Sequence, residues 1–142
     1  MRFDFFGILI VCCLGVFACT KTKRVECKIQ GEWVLKEMRI IDGQGFTHYL
    51  DSVSGSLNLD FDNHISEGFV SFQIESINNN QLFTNNFSGD SLEYNADINV
   101  LYMGENQERR IFSLILHNSK DLVIECYDLL NYQLRKFIFT RS

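Results

Sequence analysis

The chain has 142 residues, a length that fits one domain, and its 13 Lys and Arg face 18 Asp and Glu for a net charge of −5. An acidic balance makes nucleic acid a poor partner, because that binding rests on neutralising phosphates. Proline is absent altogether, so no edge strand can be blunted by that residue and no helix broken by it.

The first segment differs from the rest. Phe5 to Ala18 reads FFGILIVCCLGVFA and carries no charge. A bilayer-spanning helix needs about 20 apolar residues, so this run is too short to cross. It matches the apolar centre of a secretory signal, about 7–15 residues ending in small side chains. Arg2 is offset by Asp4, an atypical flank. The run ends in Val16-Phe17-Ala18-Cys19, which resembles the lipobox of bacterial lipoproteins: an aliphatic residue, a small residue before the cut, then cysteine. That resemblance implies cleavage before Cys19, whose thiol takes a diacylglyceryl group, and hence a chain lipid-anchored in a bacterial cell envelope. A plain signal cut after Ala18 is the alternative. The expected organisation is a signal peptide over 1–18, a lipidated basic tether over 19–28 and one domain over 29–142.

Charge agrees with this division. Residues 1–28 hold five basic and two acidic side chains, net +3; residues 29–142 hold eight and sixteen, net −8. A basic tether lies on anionic headgroups, each basic residue adding about 1 kcal/mol.

Beyond the tether, period-two alternation dominates, and the sequence predicts an all-β domain. Leu57, Leu59 and Phe61 share one face; Val70, Phe72 and Ile74 another. Leu92, Tyr94, Ala96, Ile98, Val100 and Tyr102 read as one long strand face, followed by Phe112, Leu114 and Leu116, then Leu122, Ile124 and Cys126. One-sided patterns of this kind belong to antiparallel strands with a wet face. Turn signals at 42–45, 62–63, 78–80, 88–90, 104–106, 118–120 and 130–131 cut the chain into eight strands. They run at about 32–41, 46–61 with an interruption, 68–76, 81–87, 91–103, 109–117, 121–128 and 132–141. Short connections make neighbours antiparallel. Eight strands can close into an up-and-down β-barrel, which holds side chains or one small ligand. A two-sheet sandwich is the structural alternative.

Gly31-Glu32-Trp33 at the head of the first strand is similar to the Gly-x-Trp signature of lipocalins, and Arg141 in the last strand corresponds to the arginine they place over that tryptophan. Leu57 to Asn63 and Asp121 to Glu125 resemble a hairpin and the penultimate strand of bacterial lipocalin-like lipoproteins. The resemblance spans residues 29–142 and implies a barrel closed at one end by Trp33 and Arg141, stacked as a cation–π pair. The chain departs from true lipocalins in lacking a C-terminal helix and a Thr-Asp-Tyr segment. A second lipoprotein β-fold opens on a similar Gly-x-Trp-x-Leu, completed here by Leu35, but its mid-chain Gly-Cys-Asn is missing.

With Cys12 and Cys13 in the signal and Cys19 lipidated, Cys27 and Cys126 remain, and an oxidising compartment invites them to pair. Barrel topology argues against this, since Cys126 falls late in its strand, at the end opposite the start of the first. Either outcome is open. No nucleophile elbow, zincin motif, phosphate loop or dinucleotide fingerprint occurs. His48, His64 and His117 are scattered, so neither a metal nor another cofactor is expected, nor is enzyme activity. Phe61, Phe72, Tyr94, Phe112 and Phe139 fall on inward faces, where they either line a pocket or fill a core. Phe46 and Tyr49, with Gly43, Gly45 and His48, sit on a long first connection that could gate the mouth. Asp51-Ser52-Val53 and Asp90-Ser91-Leu92 resemble Asp-Ser-aliphatic triplets that some bacteria glycosylate. The expected role is a lipid-anchored binding protein for a small apolar or amphipathic ligand; the alternative is an interaction lipoprotein with a filled core.

Overall fold

The computed structural model describes residues 20–50, 52–61, 69–78, 81–89, 91–104 and 109–142. The expected signal (1–18) and Cys19 lie outside them, as do Asp51, His64 and Asp90. Helix α1 (Lys21–Ile29) precedes the strands β1 (Gly31–Ile41), β2 (Thr47–Tyr49), β3 (Ser52–Asp60), β4 (Phe69–Asn78) and β5 (Gln81–Gly89). There follow β6 (Leu92–Asn95), β7 (Val100–Met103), β8 (Arg110–His117), β9 (Asp121–Asp128) and β10 (Gln133–Arg141).

Helix α1 occupies most of the stretch expected as a basic tether over 19–28. Thr20 caps it, its hydroxyl accepting from the Lys23 amide. Val25 and Ile29, one turn apart, are both buried. Two apolar residues at that spacing suffice once the barrel offers them a surface, although an isolated helix of this length is marginal in water.

The strands form one antiparallel sheet in the order β5-β4-β3-β1-β10-β9-β8-β7-β6, with β2 also on β1. Directions alternate along that order, so β5 and β6 at its two edges run the same way. Only residues 90 and 91 separate them. The edges are therefore neighbours along the chain, paired first with β4 and then with β7. Counting β2 with β3 and β5 with β6, the ten segments make eight staves of an up-and-down β-barrel. The curl is measurable. Phe72 on β4 and Phe112 on β8 are five strands apart, about 24 Å in a flat sheet, yet their ring centroids lie 5.6 Å apart.

The stave expected over 91–103 is instead the β6–β7 hairpin. Asn95 folds the chain back, its side-chain oxygen accepting from the amides of Asp97 and Ile98. Asn99 adopts φ 56° and its amide donates to the Leu114 carbonyl. The turn breaks the expected face. Ile98 is 59% exposed, whereas Leu101 and Met103, read as outward, are fully buried.

Bulges keep the interior filled elsewhere. Between Leu35 and Glu37 the β1–β10 register slips, so the buried set on β1 changes from Trp33 and Leu35 to Met38 and Ile40. A second slip, between Leu114 and Leu116, occurs on β8.

Candidate functional site

One end of the barrel is closed, and its parts interlock. Trp33 is fully buried and its indole N–H donates to the Ile29 carbonyl at 2.7 Å. The Arg141 guanidinium lies 4.3 Å above the ring, an attraction of about 0.5–2 kcal/mol. The same guanidinium donates to the carbonyls of Gln30 and Lys28, at 2.5 and 2.9 Å. Those carbonyls sit at the C-terminal, electronegative end of α1, where a cation is favoured. Gly31 has φ +110°, and a Cβ there would lie 3.0 Å from Arg141 Nη1, so backbone conformation and space both favour glycine. Trp33 and Arg141 thus meet face to face, with a helix end as the third partner.

His117, at the foot of β8, belongs to this end. Its Nδ1 is buried without a hydrogen-bond partner among the described residues. Burial, with Lys28 adding to it, holds the imidazole below its ordinary value. Since the folded value is the lower one, the unfolded chain binds the proton more tightly. Stability is then full above about pH 6.5 and falls as acid is added through and below that value. The melting temperature should drop between about pH 7.5 and about pH 5.5, and His117→Gln should flatten that part of the profile; an unchanged slope would discount the histidine.

Above the plug the interior is aromatic. Phe72, Phe112, Phe137 and Phe139 are fully buried. Phe137 sits edge-on to Phe72 at 5.4 Å, 6.2 Å from Phe112 and 6.5 Å from Phe139. Of the residues expected to line a pocket, Phe72, Phe112 and Phe139 come together in this cluster. Phe61 and Tyr94 are buried nearer the closed end. Phe61 follows β3 just beyond the Leu59–Gly31 pair, and the Tyr94 hydroxyl donates to Asn99 at 2.8 Å.

The mouth holds a group that the alternation did not suggest. Arg135 shares the inward face of β10 with Phe137 and Phe139 and pairs across to Ile40 and Cys126. It binds Asp128 at 2.5 Å, while its Nε–H is buried with no partner among the described residues. Cys126 and Cys27 are both free thiols. Burial pushes the Cys126 thiol up to about 11, an effect that Arg135 and Arg110 oppose in part. At neutral pH it is a protonated, unreactive group. Arg135 pairs beside this thiol, and exposed Arg110 begins β8 two residues before Phe112, two cations that sequence reasoning missed. The signal was Arg135's position, two residues before an inward Phe137.

The rim is apolar. Phe46 and Tyr49 are exposed, as are Leu129, Leu130 and Tyr132 in the β9–β10 turn. Gly43 faces the Tyr132 carbonyl, its Cβ position 3.5 Å away, so the two loops abut. Asp42 ties the first of them, its carboxylate accepting from the Gln44 and Phe46 amides and pairing with His48 at 2.9 Å. Among the described residues no three His, Cys, Asp or Glu side chains gather as metal ligands.

These features define a small antiparallel β-barrel with one plugged end and, at the other, Arg135 paired with Asp128 beside Cys126. No family model matches the chain, and no curated protein does. Among solved structures, one described as the de novo design of a fluorescence-activating β-barrel superposes with a TM-score of 0.46 at 11% identity, over 83% of this chain and 97% of that one.

Proposed function

We propose that this chain is a lipid-anchored, non-enzymatic lipoprotein of the bacterial envelope whose barrel mouth takes a small amphipathic molecule bearing an acidic group. The observation that carries the ligand class is the Nε–H of Arg135, buried without a partner among the described residues beside the packed rings. A shallow ligand would lay its apolar part on Ile40, Ile74 and Phe112 and turn its acid toward Arg135 and Arg110. The lipobox-like Val16-Phe17-Ala18-Cys19 supports the anchor.

Native mass spectrometry of protein purified from envelopes should reveal a co-purified acidic amphiphile. Arg135→Gln should weaken it about 10- to 100-fold, as expected for losing a charged hydrogen bond of about 1.5–3 kcal/mol. Bare protein with no response to carboxylate amphiphiles would reject the ligand. It would leave a second reading, favoured by the ring packing and the exposed Leu129 and Leu130: a filled barrel that meets a protein partner through its rim. For the anchor, Cys19→Ser should release the protein from membranes and abolish palmitate labelling; unchanged fractionation and labelling would reject it.

A further inference from the structure

The closed end presents a second surface, distinct from the mouth. On α1, Val25 and Ile29 point into the barrel. Residues two positions from Val25 lie about 200° around the helix, so Lys23 and Cys27 face directly outward, and both are exposed, as are Arg24 and Lys28. Beside them stand Lys120, in the turn that receives the Arg141 amide, and the Arg141 guanidinium itself over Trp33. The acidic groups at this end are Glu26, half-buried on the flank of the helix, Asp121 at the start of β9, and the exposed Glu32, Asp60 and Asp97. Residues 29–142 carry net −8, whereas the helix itself holds Lys21, Lys23, Arg24 and Lys28 against Glu26 alone. The helix begins two residues after Cys19, which leaves almost no slack between the lipid attachment point and this face.

We propose that the outward face of α1 docks on anionic lipid headgroups, so that the barrel stands on its plugged end with the mouth turned away from the bilayer. The inference rests on the lipid-anchor reading for its proximity but adds orientation. A flexible tether would let the domain tumble, whereas a folded basic helix pinned to the barrel by Val25, Ile29 and Arg141 cannot bind headgroups without orienting everything attached to it. Charge complementarity selects the occupant: Lys23, Arg24 and Lys28 meet phosphate, while the acidic body is repelled by the same surface. The interaction is electrostatic and should weaken as salt rises.

The experiment uses the purified full lipoprotein in vesicles of phosphatidylcholine with and without phosphatidylglycerol. Exposed Cys27 carries a polarity-sensitive fluorophore, since the buried Cys126 thiol is protonated and slow to react. Nitroxide-labelled headgroups should quench the Cys27 probe on anionic vesicles and much less on neutral ones. Lys23→Gln with Arg24→Gln should lower the docked-to-free ratio about 30-fold, at about 1 kcal/mol per basic residue near the surface. A probe placed through Leu130→Cys, with Cys27→Ser, should stay unquenched on both. Equal quenching on neutral and anionic vesicles, or quenching of the Leu130→Cys probe instead, would overturn the proposal. Co-flotation with neutral vesicles reports the anchor separately. If it fails while anionic vesicles still quench Cys27, the lipid reading falls and the docking face stands.

Discussion

Trp33→Ala should lower the free energy of unfolding by about 3–5 kcal/mol, the range for truncating a large buried aromatic. Three losses converge there. The indole is fully buried, so a large void opens beneath the barrel end. Its N–H bond to the Ile29 carbonyl disappears, and Arg141 loses the ring below it. Because Arg141 also holds the Lys28 and Gln30 carbonyls, the helix should loosen with the tryptophan. Denaturant unfolding of Trp33→Ala and Arg141→Ala, singly and together, tests this. The pair should be non-additive, since both remove the same stack. A loss below about 1 kcal/mol for Trp33→Ala would mean that the plug contributes little.

Phe137→Ala should cost a similar amount, about 3–5 kcal/mol, for a different reason. Phe137 touches Phe72, Phe112 and Phe139 at once, and edge-to-face pairs contribute about 0.5–1.5 kcal/mol each beyond burial. Its removal empties the centre of the tube. Apolar cavities of that kind stay dry and accept small aromatic molecules, so the variant should be rescued in part by benzene. A thermal melt with and without benzene reads the result, and a drop under about 1 kcal/mol would show that the neighbours collapse into the gap.

Much of this architecture was legible in the chain because a one-sided sheet writes itself as period two. The staves at 109–117, 121–128 and 132–141 coincide closely with β8, β9 and β10. The meeting of Trp33 with Arg141 follows from topology alone, once first and last strands pair antiparallel. What escaped has physical causes. The hairpin inside 91–103 was hidden because Tyr94, Ala96, Ile98 and Val100 keep alternating straight through the bend, and only Asn95, bonding the backbone locally, and Asn99, reaching across to the Leu114 carbonyl, mark it. Helix α1 was hidden because its apolar stripe is two residues long. Arg135 escaped because a cation on an inward face violates the polar-out rule.

The pairing of β1 with β10 joins the head of the domain to its tail. Nothing resembling the finished tube can therefore exist until the C-terminal residues have emerged, and the slow closure of so distant a contact leaves sticky half-sheets in the meantime. Losing residues 141 and 142 would strip the lid from the last carbonyls of the helix and the cation from the tryptophan in one stroke.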